Sequence, residues 1–313
     1  MLYVAQSGAQ RNSISWDEIQ RITGGRIGRI VAPCPLCSDF RRTPQKRRSE
    51  VLAVTQLGPD FAVYYCNHCE AQGYACPETR GKVIDFTELQ RQRNAAKRLA
   101  DDERAKRIKL ALDIWNQRKP FRGSPAETYL YHTRGIGDWL DTFPYLDKAL
   151  GFHPKCPFGT GQHLPCMLAL VREVRTNAPI ALHRTALKLG KRPERIDRKS
   201  LGPTRGGAIK ISPDHEVHSG LLIGEGIETV LSASELLKFK PVWSLIDKQN
   251  LAKFPVLPGI ESVTIAVDND ASGDGQRAAA ECIERLVAGG IEVIEHTPTQ
   301  PGDFNDLLKG AVG

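Results

Sequence analysis

Three acidic residues in the last third of the chain stand where carboxylates could share a cation. Glu225 ends the apolar run Leu221-Leu-Ile-Gly224 and opens Gly-Ile-Glu-Thr-Val-Leu. Asp268 ends Ser262-Val-Thr-Ile-Ala-Val267 and begins Asp-Asn-Asp, so that Asp270 follows two residues on. Both runs belong to a pattern of short apolar strands alternating with helical stretches, which predicts a parallel α/β sheet; ligands of such sheets bind at the carboxyl ends of the strands. Acids two residues apart on extended backbone project to the same side. Such a cluster is unfavourable without a cation, and oxygen-only ligands point to Mg2+ or Mn2+ rather than zinc. Glu228 and Asp274 lie close by in sequence and read as a helix cap and a surface acid.

The cysteines offer a second chemistry. Cys34-Pro-Leu-Cys37 and Cys66-Asn-His-Cys69 are two C-x-x-C knuckles with 28 residues between them. Those residues include two strand-like runs, 51–56 and 61–65, joined by the turn Leu57-Gly58-Pro59-Asp60, which would let the knuckles meet. Four thiolates complete a closed tetrahedral Zn2+ site that supplies folding energy rather than catalysis. His68 and Cys76 read as bystanders, and Cys156, Cys166 and Cys282 as free thiols. Between the knuckles stand Arg41, Arg42, Lys46, Arg47 and Arg48, with Phe61, Tyr64 and Tyr65 after them. Cations that follow phosphates beside aromatics that stack on bases would suit a single strand of nucleic acid.

The elements that must position these groups follow from pattern. Ser15-Trp-Asp-Glu18 is a capping box opening a short helix that Gly24-Gly25 stops. From Val83 to Lys119 the chain is charged and nearly free of Gly and Pro, with Ile108, Leu112 and Trp115 at helical spacing, so a helical connector is expected. Residues 125–218 carry the strand signals CMLALVREV, APIALHRTAL and AIKIS among turns, as in a β-rich α+β region. After Ser219 come strands LLIGE, PVWSLI, SVTIAVD and IEVIEH, with helices over 227–237 and 275–288. The expected organisation is a cysteine domain over 1–80, a connector over 81–124, an α+β subdomain over 125–218 and a Rossmann-like parallel α/β domain over 219–313.

Charge follows the same division. Residues 1–120 carry 21 Lys/Arg against 13 Asp/Glu, residues 121–218 carry 15 against 9, and residues 219–313 carry 7 against 14. A basic front favours a polyanion, and the acidic rear favours divalent cations. No run approaches the roughly eighteen apolar residues of a membrane span. The N-terminal residues lack the cationic and apolar regions of a secretory leader, so a cytoplasmic setting is expected, with cysteines that bind metal rather than form disulfides.

Glu225 in GEGIET with Asp268 and Asp270 in AVDND resembles the signature of the Toprim domain of topoisomerases, bacterial primases and certain nucleases. Gly302-Asp303-Phe-Asn-Asp306 resembles the acidic segment that closes this domain in phage- and plasmid-type primases. Lys199-Ser-Leu-Gly202 followed by Gly206-Gly-Ala-Ile-Lys210 resembles the segment that precedes it there. The resemblance implies primer synthesis from nucleoside triphosphates on a single-stranded DNA template. Asp268 and Asp270 would hold metal on the nucleotide phosphates, Glu225 would complete the shell or assist proton transfer, and Asp303 and Asp306 would be secondary ligands. It further implies that the basic stretch 184–210 faces the metal, with Arg184, Lys199 and Lys210 as the candidate phosphate contacts. Two alternatives stay open: a Toprim nuclease, and a non-catalytic factor that binds single-stranded nucleic acid. Gly24-Gly-Arg-Ile-Gly-Arg lacks the Lys-Ser/Thr of a phosphate-binding loop, so a helicase motor would be a separate partner, or absent.

Overall fold

The computed structural model describes residues 13–77 and 86–312; the N-terminal residues weighed above as a leader, 1–12, and the start of the expected connector, 81–85, lie outside them. The chain divides into two compact units, 1–103 and 104–313.

In the first unit, α1 (Trp16–Thr23) begins as its capping box requires. The Ser15 hydroxyl accepts from the Glu18 amide, and Glu18 Oε2 accepts from the Ser15 amide at 3.0 Å. Gly24 ends the helix in the left-handed region. There follow β1 (Gly28–Ala32), the single turn α2 (Pro44–Arg47), β2 (Leu52–Gly58), β3 (Phe61–Cys66) and β4 (Gln72–Ala75). The strands form one antiparallel sheet in chain order. The β2–β3 hairpin is the one expected from sequence; β1 and β4, at five and four residues, are too short to announce themselves. Leu52 and Val54 alternate inward to pack with Ile14, Ile19 and Tyr64, whose hydroxyl accepts from the Ile14 amide at 3.0 Å.

The helix α3 (Phe86–Asn116) carries the chain into the second unit. There its residues Ala111, Ile114 and Trp115 are buried against Phe158, Leu168 and Leu182. Next come α4 (Pro125–Thr128), a π-helical turn (Tyr129–Thr133), a 3-10 turn (Gly137–Thr142) and α5 (Leu146–Ala149). Five strands follow: β5 (Leu150–Gly159), β6 (Gln162–Glu173), β7 (Pro179–Lys188), β8 (Glu194–Leu201) and β9 (Gly207–Lys210). The chain then alternates through β10 (Gly220–Gly224), α6 (Ile227–Leu237), β11 (Val242–Ser244), α7 (Lys248–Ala252), β12 (Ser262–Ala266), α8 (Asp274–Ala288), β13 (Glu292–His296) and α9 (Phe304–Val312).

All nine strands of this unit lie in one mixed sheet, ordered β13-β12-β10-β11-β9-β6-β7-β8, with β5 also on β6. β10 to β13 are parallel, as the alternation predicts. The sequence gives no sign that they are continuous with the antiparallel strands. The fully buried β9 makes that join, pairing with β11 through Lys210↔Trp243 and Ile209↔Ser244 and with β6 through Ala208↔Arg172. α6 and α9 cover one face of the parallel part with the segment 121–150, and α7 and α8 cover the other. β10 is followed by β11 on one side and has β12 on the other, so the strand order reverses there, the position at which open α/β sheets bind ligands.

Candidate functional site

Glu225 follows β10 directly, and Asp268 stands two residues beyond β12, on the neighbouring parallel strand. The backbone holding Glu225 is tightly fixed. Its carbonyl accepts from Ser244 Oγ and from the Ile246 amide, each at 2.7 Å. Ile246 has φ 75, a left-handed conformation that a β-branched residue rarely adopts, and so marks local strain beside the acid. Asp268 Oδ2 accepts from Thr229 Oγ1 of α6 at 3.3 Å, while its Oδ1 is buried without a partner. Burial first, then Asp268 and Asp247, push Glu225 up to about 7; burial and Asp303 push Asp268 up to about 6. A cation that joined carboxylates crowded in this way would favour their ionised forms. An orphaned buried oxygen and an oxygen-only donor set therefore fit a hard divalent ion.

The other expected acids are placed less uniformly. Asp270 Oδ1 is committed to the turn that opens α8, accepting from the Ser272 amide and hydroxyl and from the Gly273 amide at 2.6–3.0 Å. Those bonds hold its carboxyl below the ordinary range. Asp303 acts on Asp268 and also caps α9, accepting from the Asp306 amide at 2.9 Å. Asp306 returns a bond to the Asp303 amide at 3.4 Å and serves the cap. Asp247, not singled out from sequence, caps α7 through the Asn250 amide and adds a further negative charge at Glu225.

The basic shelf departs from expectation. Arg184 and Lys199 are register partners on β7 and β8, and both lie over the ring of Phe158, at 5.6 and 4.8 Å. Phe158 belongs to the core under α3, so this pair occupies that face of the sheet. Arg184 is buried and donates to the Pro157 carbonyl. Lys210 is buried as well: its ammonium meets Asp214 at 2.6 Å, donates to the Val174 carbonyl at 3.1 Å and lies over Trp243. Burial lowers its pKa, and Asp214 supports its charge. The cation that does act on both Glu225 and Asp268 is Arg198, register partner of Thr185 and next in sequence to Lys199. Strand alternation decides between the two neighbours, and β8 was not legible as a strand because six of its first seven residues are charged or isolated among charges. His183, held to Ser200 Oγ at 3.1 Å, is pushed by burial to about 4 and is a neutral member of this wall.

In the first unit, the sulfurs of Cys34, Cys37, Cys66 and Cys69 all lie within 4.8 Å of one another, a set that could hold one metal ion. Cys34 and Cys69 are 3.9 Å apart, Cys37 and Cys66 3.8 Å. Burial pushes Cys34 up to about 11 and Cys37 higher still. Arg42, Arg47 and Arg48, between the two knuckles in sequence, are exposed; Arg41 is half-buried, and its carbonyl accepts from Arg47 Nε at 2.9 Å. Of the expected stacking rings, Tyr65 is half-buried and two are not available. Phe61 and Tyr64 are core residues, each 4% exposed, whereas Phe40 at 88% and Tyr74 at 47% are the rings open to solvent.

Residues 105–211 match a family model described as a domain of unknown function (DUF7146), and residues 220–311 match one described as the Toprim domain. No curated protein matches the chain. Among solved structures, the primase fragment of the bacteriophage T7 primase-helicase protein is 12% identical, with 90% of this chain and 95% of that chain covered at a TM-score of 0.41. A chain of the structure described as bacteriophage T7 lagging-strand DNA polymerase interacting with primase domains of two gp4 subunits is 15% identical, with 57% of this chain and 84% of that chain covered at a TM-score of 0.38. Among the described residues, no helix is long and apolar enough to cross a membrane. The parallel strands that present Glu225 and Asp268 are those of a Toprim domain, which the chain carries over residues 220–311.

Proposed function

We propose that this chain synthesises short primers on single-stranded DNA by metal-dependent nucleotidyl transfer, acting in the cytoplasm on nucleoside triphosphates. The observation that carries the reading is Asp268, with one buried oxygen lacking a partner, placed beside Glu225 at the ends of adjacent parallel strands. Mg2+ or Mn2+ held by Glu225, Asp268 and the outer oxygen of Asp270 would offset charge developing on the transferred phosphoryl group. Thr229 orients the second oxygen of Asp268. Glu225 would complete the metal shell or assist proton transfer from an attacking hydroxyl. Arg198 supplies positive charge where a triphosphate would approach the acids. Arg184, Lys199 and Lys210 take no phosphate in this reading. Zn2+ in the cysteine cluster would fix the small sheet of the first unit, and Arg42, Arg47, Arg48 and exposed Phe40 would follow the template strand.

A Toprim nuclease would use the same acids, so the test must separate synthesis from hydrolysis. Full-length protein is incubated with single-stranded DNA, labelled nucleoside triphosphates and Mg2+ or Mn2+, beside an Asp268→Ala/Asp270→Ala double variant. Short labelled oligomers made only by the unmutated chain are the expected result. Template shortening without synthesis would replace the proposal with the nuclease, and DNA binding with neither reaction would leave a binding factor.

A further inference from the structure

Glu228 is three residues past Glu225, yet its carboxylate belongs to a different set of contacts. It is 6% exposed, and its Oε1 accepts from the Tyr129 hydroxyl at 2.7 Å and faces an Arg195 guanidinium nitrogen at 3.7 Å. Burial alone would raise its pKa; Arg134, then Tyr129 and Arg195, hold it below the ordinary carboxylate range. A buried ionised carboxylate is retained only where its partners are fixed, and these come from two segments, the π-helical turn with the residue after it and β8. Tyr129 opens the π-helical turn, a geometry rare in helices and frequent at functional sites. Arg134 follows that turn, and its carbonyl accepts from Asn305, which donates also to Ser232 of α6 at 3.0 Å and lies two residues after Asp303. Arg195 stands on β8.

β8 itself is irregular at this point. Arg195 pairs with Leu187 and Asp197 with Ala186, so Ile196 is an extra residue with no partner, 56% exposed. Residues three apart on a regular strand face opposite sides; one inserted residue returns them to the same side. The bulge therefore puts Arg195, opposite Leu187, and Arg198, opposite Thr185, on the same face of β8, the face on which Arg195 meets Glu228 of α6, the helix that follows Glu225.

We propose that Glu228 is a positioning residue: through Arg195 and the bulge at Ile196 it sets β8 so that Arg198 faces the acids and receives the triphosphate of a nucleotide, and it does not hold the metal. The assignment rests on the nucleotidyl-transfer reading of the same site.

The test uses equilibrium binding by the full-length chain, with no turnover required. Mn2+ is titrated alone, and then ATP in saturating Mn2+, for the unmutated protein, Glu228→Gln, Glu228→Asp, Arg198→Ala and the Glu228→Gln/Arg198→Ala pair. Glu228→Gln is expected to leave Mn2+ affinity within about twofold and to weaken ATP about tenfold, the loss of one charged contact, with Glu228→Asp recovering part of it. The pair should bind ATP no more weakly than Arg198→Ala alone, because the two act in series. Loss of Mn2+ binding in Glu228→Gln, unchanged ATP affinity, or additive losses in the pair would each overturn the assignment. Should Glu228→Gln not fold, Tyr129→Phe keeps every charge and is expected to weaken ATP about threefold at unchanged Mn2+ affinity; unaltered ATP affinity there overturns the proposal equally. If the unmutated chain binds no ATP, the nucleotidyl-transfer reading falls with this one. ATP binding that Glu228→Gln reproduces sinks the positioning role alone.

Discussion

Asp268 and Glu225 are held at about 6 and about 7 against ordinary values of 3.8 and 4.5, chiefly by burial and then by neighbouring carboxylates. Raised carboxyl groups favour the folded state fully below their unfolded values, near pH 4, and that contribution is lost as pH climbs through 6 and 7. Asp268→Asn should therefore raise metal-free stability by about 1–2 kcal/mol at pH 8 and leave it unchanged at pH 4, as urea midpoints at the two pH values would show. Added Mn2+ should stabilise the unmutated chain at pH 8 far more than at pH 5. A second expectation concerns neighbours on β8: Arg198→Ala should lower primer synthesis at least tenfold, an electrostatic loss of about 1.4 kcal/mol or more, while Lys199→Ala changes it less than about twofold. Steady-state rates on one template decide that comparison. The acids were legible in the sequence because each closes an apolar run. The choice of Arg198 over Lys199 was not, because it depends on strand register and on a one-residue bulge.

At the scale of elements, the site depends on how closely β10 approaches β12 and α6. A methyl group at Gly224 would meet the Ala266 carbonyl and Val230 Cγ1, both at 2.9 Å. Gly224→Ala should cost about 2–3 kcal/mol, measurable by denaturation, and should depress synthesis further by displacing the adjacent Glu225. The elements that sequence displays well are those with caps or clean periodicity: α1 between Ser15 and Gly24, α6, α8, and the hairpin of β2 and β3. β5 stayed hidden because Pro154 and Pro157 interrupt it, with bulges in its pairing to β6 taking up the irregularity. β8 stayed hidden as an edge strand whose outward side chains are charged, which is how an exposed edge is kept from pairing with other chains. Tyr129 and Glu228 meet across 99 residues, a contact that local pattern does not contain.

The whole molecule consists of two units with unlike sources of stability. The first has a small core in which three of the four clustered cysteines are themselves buried, so metal there should contribute most of its folding energy. Chelation, or Cys37→Ser, should abolish one thermal transition and leave that of residues 104–313 intact, as scanning calorimetry with and without chelator would report. The second unit is one sheet from β13 to β8, and the stretch between the two family matches, 212–219, does not divide it. A Toprim fragment cut out at residue 220 would strip β9 from β11 and bare a row of main-chain donors and acceptors on a strand whose three residues are all buried in the intact chain. Such a fragment would be sticky rather than soluble, recruiting strands from other copies to replace the one removed. The smallest portable form of this acidic site accordingly begins near the second half of α3 and keeps the antiparallel strands with it.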